Sequence, residues 1–210
     1  FMAAPVQFWD RIAEKYARRP VADEATYERK LAVTREYLTL ESVVLELGCG
    51  TGSTAIAHAP FVKQVDATDL SPAMIGIAKR KAEEAAAGNV CFRVASIEDL
   101  EAQDGRYDMV MAHSILHLLR DQEAALARAY AFLKPGGIFV SSTACLGDFA
   151  WYFRLFLLSL PVGRRLGFFP YVKSFTRPML TGSMRAAGFT IVEEWQPGKN
   201  KAVFIVARKT

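Results

Sequence analysis

This 210-residue sequence predicts a doubly wound α/β domain with a mostly parallel sheet and helices on both faces, on three observations. Short apolar runs alternate with Ala-rich helical stretches, the order in which strands and crossover helices build a parallel sheet. A glycine-rich turn, Gly48-Cys49-Gly50-Thr51-Gly52, joins the first apolar run to a helical stretch. Near the end, two strand patterns flank Pro197-Gly198-Lys199-Asn200 and predict a hairpin, so the sheet finishes with an antiparallel strand.

The elements follow in order. Phe8, Trp9, Ile12, Ala13 and Tyr16 repeat at helical spacing between Pro5 and Arg19, and Pro20 ends the pattern. A second helix is expected from Asp23, a suitable N-cap, to Leu38. Both precede the first strand and are expected to form a helical lid, residues 1–40, across the open end of the sheet. Strands are expected at Val43–Leu47, Gln64–Thr68, Val90–Val94, Met109–Ala112 and Gly137–Ser142, with helices over Thr54–Ala59, Pro72–Ala87 and Asp121–Leu133. The hairpin strands are Thr190–Trp195 and Lys201–Arg208, preceded by a C-terminal helix. The chain divides into the lid, a core at 43–142, an insert at 145–180 and a C-terminal helix and hairpin at 181–210, all within one domain.

Composition narrows the class. With 51% hydrophobic and 23% charged residues the chain is globular, and no run of about 18 uncharged apolar residues is present to span a bilayer. The start, Phe1-Met2-Ala3-Ala4, lacks the basic region and apolar core of a secretory leader, so a cytoplasmic location is expected. Cys49, Cys91 and Cys145 form no CxxC or Cys/His pattern, which gives no metal site and fits a reducing compartment. Net charge is +4, but residues 150–210 carry 10 Lys/Arg against 2 Asp/Glu. This basic section serves to attract anionic headgroups or an acidic substrate, or is a solvated face. No nucleic-acid-binding module is visible.

Glycine at 48, 50 and 52 lets the turn take positive φ and lets a ligand approach the backbone, which points to a nucleotide-like cofactor. The spacing is G-x-G-x-G, with Ser53 where a dinucleotide-binding loop carries its third glycine, and this argues against a nicotinamide dehydrogenase. Asp69 closes the second strand 17 residues after Gly52, where a carboxylate accepts from both ribose hydroxyls. Its alternative use, capping the next helix, is better served by Ser71 ahead of Pro72. His113 stands at the end of the fourth strand as a base or as polar lining; His117 is expected to be structural and His58 to lie at the surface.

The run Glu46-Leu47-Gly48-Cys49-Gly50-Thr51-Gly52 resembles the first motif of the class I S-adenosylmethionine (SAM)-dependent methyltransferases. Further motifs are similar to theirs in the same order: Asp69-Leu70-Ser71-Pro72-Ala73-Met74, Ala95-Ser96-Ile97-Glu98-Asp99-Leu100, Tyr107-Asp108 through His117, and Leu133-Lys134-Pro135-Gly136-Gly137. Phe8-Trp9-Asp10 with Tyr16 resembles the opening of the small-molecule and ubiquinone-biosynthesis type. The resemblance implies a Rossmann-like seven-stranded sheet of order 3-2-1-4-5-7-6, with SAM as cofactor and S-adenosylhomocysteine (SAH) as product. It implies cofactor contacts from Tyr16, Glu46, Gly48, Cys49, Gly50, Thr51, Gly52, Asp69, Leu70, Met74, Ser96, Ile97, Ala112 and His113. Ser96 departs from the pattern, since an aspartate commonly takes the adenine amino group there; a hydroxyl can still accept that bond.

Between the core and the hairpin, Phe149 to Leu160 holds one charge, Arg154, and Gly163 to Tyr171 mixes arginines with aromatics. A small hydrophobic acceptor of quinone or lipid type is expected there, with peripheral membrane contact through 149–171 and a monomer or homodimer. A polar metabolite as acceptor, or a SAM-binding regulatory subunit, are the competing readings.

Overall fold

The computed structural model describes residues 3–100, 104–149 and 171–210; residues 150–170, most of the apolar stretch expected at 149–171, lie outside them. The helices are α1 (Ala3–Ala17), α2 (Glu24–Arg35), α3 (Ser53–His58), α4 (Pro72–Glu84), α5 (Gln122–Phe132) and α6 (Arg177–Ala186). The strands are β1 (Val43–Leu47), β2 (Gln64–Asp69), β3 (Val90–Val94), β4 (Tyr107–His113), β5 (Leu133–Thr143), β6 (Phe189–Trp195) and β7 (Val203–Lys209). They form one sheet in the order β3-β2-β1-β4-β5-β7-β6. β1 to β5 are parallel, and β7 runs antiparallel to both β5 and β6.

Side chains alternate between the two faces of the strands, and both faces are covered. Leu45, Leu47, Val110, Ala112, Phe139 and Ile205 pack with Leu126, Ala129 and Phe132 of α5 and with Leu180 and Met184 of α6. On the other face Val44, Val65, Met109, Met111, Val140 and Phe204 pack with Ala55 of α3 and with Ile75, Ala78 and Ala82 of α4. Sequence order reverses between β1 and β4, where doubly wound sheets open a crevice at the carboxyl ends of the strands.

The expected helix signals act as caps. Asp23, Ser71 and Asp121 each accept a backbone N–H three residues on, from Thr26, Met74 and Ala124. Two strands are longer than their apolar runs. β4 starts at Tyr107 and β5 at Leu133, because Tyr107 pairs with Leu133 before the register jumps to Met109 and Ile138. The Leu133-Lys134-Pro135-Gly136-Gly137 turn therefore lies within β5 as a bulge, with Gly136 at φ +76°. Lys134 bonds Asp108 at 2.7 Å, and Asp108 accepts the first N–H of β1, from Val43, at 2.8 Å.

The described residues between β3 and β4 form no helix, and a polar network lies at the adjoining part of β2. Asp66 is buried and accepts from Tyr107 Oη at 2.9 Å, Arg106 Nη2 at 3.1 Å and Gln64 Nε2 at 2.7 Å. Removing the carboxylate takes this shared acceptor from all three donors, the Tyr107 hydroxyl among them. Because the arginine is partly exposed, Asp66→Ala is expected to cost about 2 kcal/mol in urea denaturation, below the range for a fully buried pair.

The two N-terminal helices are fastened differently. α1 lies on α4, where Ala13, Met74 and Ile77 are buried together and Asp10 accepts from Ser71 Oγ at 2.5 Å and Ala73 N at 3.1 Å. α2 packs against α3 and the final hairpin: Arg35 bonds Ala57 O at 3.1 Å, Arg29 sits 4.2 Å from the Trp195 ring, and Asp23 faces Lys201 at 3.8 Å.

Candidate active site

The loop after β1 is built by its backbone. Gly48, Gly50 and Gly52 all have positive φ, at +66°, +54° and +76°. Two of them are glycine for lack of room as well: a Cβ on Gly48 falls 2.7 Å from Ile115 Cδ1, and one on Gly52 falls 2.7 Å from Phe92 Cζ. Gly50 differs, since a Cβ there meets only Tyr16 Cε1 at 3.9 Å, so the space above this residue is open. Cys49 N–H donates to Thr68 O at 2.9 Å, which ties the loop to β2. Asp69 completes the tie by accepting from Gly50 N and Ser71 N, both at 2.9 Å.

Above the loop lies a cavity closed on one side by Trp9 and Tyr16 of α1, whose rings meet edge to face at 6.5 Å. Tyr16, Gly48, Gly50, Asp69, Leu70, Met74, Ser96, Ile97, Ala112 and His113 all line it. Glu46, Cys49, Thr51 and Gly52 do not; they are the layer beneath, where Glu46, Cys49 and Thr51 are buried. The sequence did not single out Ile115, Leu116 or Leu119 as lining, nor Ala125 and Ala129 of α5, which extend an apolar floor. Only the small residues at helical spacing on α5 hinted at it.

Asp69 has its pKa raised, by burial first, against the lowering effect of the N–H groups of Ser71 and Gly50. Burial pushes Glu46 up to about 8; Ala55 N–H opposes this and Asp69 adds to it, and Glu46 Oε2 is buried without a hydrogen-bond partner. Burial also drives the Cys49 thiol well above its ordinary value, which leaves it protonated and inert. Ser96 Oγ donates to Asp99 Oδ2 at 2.7 Å and accepts from Asp99 N at 3.0 Å, so its hydroxyl proton is already committed. His113 is partly buried, and burial, His58 and Lys30, in that order, take it down to about 3. It is neutral at physiological pH and weakly basic.

His58 is not at the surface. Arg35 of α2 reaches Ala57 O beside it, and His58 is fully buried with neither ring nitrogen hydrogen-bonded. A short Ala-rich helix gives no sign of a second helix packing over it. Burial lowers His58 to about 4, as it does His117, whose Nδ1 is likewise unpaired. Between the ordinary value of 6.5 and about 4 the unfolded chain binds protons at His58, His117 and His113 that the folded chain refuses, so stability falls as pH drops. Glu46 acts oppositely: its folded form keeps a proton up to about 8, and stability falls as pH rises from 4.5. Melting temperature is expected to peak near pH 6.5 and decline more steeply on the acid side. In His58→Leu the acid limb should flatten.

The donors fit a cofactor without phosphate. The Asp69 carboxylate on the wall, whose oxygens keep lone pairs beyond those given to Gly50 N and Ser71 N, apolar faces from Leu70, Met74 and Ile97, and open space over Gly50 suit a nucleoside carrying an amino-acid tail. Among the described residues Asp69 and Glu98 are the charged groups on the wall, and no Lys or Arg lines it.

The sheet has the strand order that the resemblance to the class I SAM-dependent methyltransferases implied, with the glycine loop at its switch point. Residues 44–137, 94 of the 210, match the family described as a methyltransferase domain. It is 38% identical over 101 residues to a ubiquinone biosynthesis O-methyltransferase of Xanthomonas campestris pv. campestris, covering 48% of this chain and 42% of that one. It is 32% identical over 143 residues to highly reducing polyketide synthase 40 of Fusarium mangiferae, covering 64% of this chain and 6% of that one. The chain thus spans less than half the length of these curated relatives. Among solved structures, a SAM-dependent methyltransferase of Thermotoga maritima superposes with a TM-score of 0.71 at 21% identity, covering 100% of both chains. A geranyl diphosphate C-methyltransferase of Streptomyces coelicolor gives 0.67 at 16% identity, over 85% of this chain and 79% of that one.

Proposed function

We propose that this protein transfers a methyl group from SAM to a small, largely hydrophobic acceptor of quinone or lipid type. The observation that carries this is the cavity itself: among the described residues its walls hold two carboxylates, the aromatic side chains of Trp9, Tyr16 and Phe139, and no Lys or Arg. A dinucleotide would bring phosphates to a wall without cations, whereas a sulfonium suits carboxylates and aromatic faces. When bound, SAM supplies a methyl group on positively charged sulfur, an electrophile that needs no further activation.

The chain's residues then bind, orient and exclude water. Asp69, held by Gly50 and Ser71, presents its remaining lone pairs to the ribose hydroxyls. Leu70, Met74 and Ile97 flank the adenine, with Ser96 Oγ at its polar edge. Gly48 and Gly50 leave room for the methionine portion, and Glu46, Cys49, Thr51 and Gly52 support the loop from beneath. Trp9 and Tyr16 close the site, which holds reactants at short range in a dry environment. Ala112 and His113 face the methyl end. A neutral His113 serves better to hydrogen-bond the acceptor than to hold its proton.

Support for a quinone-like acceptor is the similarity to ubiquinone biosynthesis O-methyltransferases together with the apolar sequence from Phe149 to Leu160. That same stretch supports peripheral membrane contact through 149–171; no described helix is long and apolar enough to cross a membrane. The test supplies methyl-labelled SAM with an extract separated into lipid-soluble and aqueous fractions. Label in the lipid-soluble fraction is expected. Label confined to the aqueous fraction would move the acceptor to a polar metabolite, and SAM binding without any transfer would favour a regulatory subunit.

A further inference from the structure

Lys30 is a cation whose field reaches His113, and nothing in the cofactor scheme uses it. α2 places its ammonium 2.8 Å from Ser142 Oγ. Ser142 is the register partner of His113 across β5 and β4, and both side chains fall on the α2 side of the sheet, in step with Val140 and Met111. Lys30 is not itself on the cavity wall, but through Ser142 it stands next to the end that His113 lines, across β4 from Asp69.

Its surroundings are unusual for a lysine. The ammonium is partly buried and, among the described residues, has no carboxylate within ion-pair distance. Asp23 is the acid whose field it feels, and that carboxylate caps α2 through Thr26 and faces Lys201. The neighbouring His113 and His58 are neutral at physiological pH, so they add neither charge nor relief. Ser142 uses one of three N–H donors, and two are left for a ligand. A desolvated ammonium held by one neutral hydrogen bond is costly unless an anion joins it. α2 is clamped by Arg29 on Trp195 and by Arg35 on Ala57 O, so the side chain cannot simply swing out with its helix.

We propose that Lys30 anchors an acidic oxygen of the methyl acceptor, so that the acceptor is a small molecule with an anionic group at one end and an apolar body. This rests on reading the cavity as a methyl-transfer site. A charge-assisted bond of this kind distinguishes an acid from its neutral isostere by about tenfold or more.

The test uses the SAH-loaded protein, titrated calorimetrically with 3,4-dihydroxybenzoate and with its neutral amide. The acid is expected to bind about tenfold more tightly than the amide. Lys30→Met should abolish that preference while SAH affinity stays unchanged, and Lys30→Arg should restore most of it. Lys30→Gln, which can still bond Ser142, should behave like Lys30→Met, which separates loss of charge from loss of packing. The same acid-to-amide ratio in wild type and Lys30→Met overturns the proposal, as does failure of the acid to bind. If SAH does not bind but the acid preference depends on Lys30, the anion site stands and the methyl-transfer reading falls.

Discussion

Asp69→Ala is expected to weaken SAM binding by about 1–3 kcal/mol, roughly 5- to 150-fold, in a calorimetric titration. One carboxylate does two jobs at the end of β2. It fixes the loop by accepting from Gly50 N and Ser71 N, both at 2.9 Å, and it faces the cavity where the ribose is proposed to lie. Alanine removes both functions and leaves two N–H groups without their acceptor. Asp69→Asn should be intermediate, since the amide oxygen can take one N–H but its nitrogen opposes the other. An affinity unchanged in Asp69→Ala would place the cofactor elsewhere.

Gly52→Ala is expected to cost about 2–5 kcal/mol of stability, measured by urea denaturation. At φ +76° an L side chain costs roughly 1–2 kcal/mol. The added methyl would also fall 2.7 Å from Phe92 Cζ and 2.8 Å from Ala78 Cβ, in a packed region where forced repacking costs about 1–3 kcal/mol. Gly105 is the control. Its φ is +67°, but a Cβ there meets nothing within 4 Å, so Gly105→Ala should show the backbone cost alone. Equal losses at the two positions would mean that contact with Phe92 and Ala78 is unimportant.

Much of the scaffold was legible because its central strands, such as β1 and β4, are buried on both faces. Val43–Leu47 and Val90–Val94 are runs apolar but for Glu46 and Arg93, and β1 and β3 have these limits. Caps were equally readable at Asp23 and Ser71, since their side chains bond their own backbones and need no tertiary partner. Boundaries failed where tertiary pairing extends an element past its apolar run. Lys134 to Gly137 looks like a turn, yet Leu133 pairs with Tyr107 and the chain bulges before rejoining the ladder.

The glycine loop and Asp69 stood out at the candidate site because backbone conformation restricts residue type there. The layer structure did not: Glu46 and Gly52 belong to the same motif as Gly48 and Gly50 but lie behind the cavity wall. His58 was misplaced because its burial depends on α2, which is separated from it by β1 and the glycine loop. Asp66 gave no signal beyond a polar residue in a buried strand, and its partners Arg106 and Tyr107 follow some 40 residues later. Lys30 gave no signal in the sequence, because its partner Ser142 comes 112 residues later.

The most direct test of the account is a calorimetric titration of the purified chain with SAM and, separately, with SAH. One site per chain is expected for each ligand, with both affinities reduced in Asp69→Ala while NAD gives no heat. A folded protein that binds neither SAM nor SAH would contradict the assignment of the cavity and the methyl-transfer function built on it.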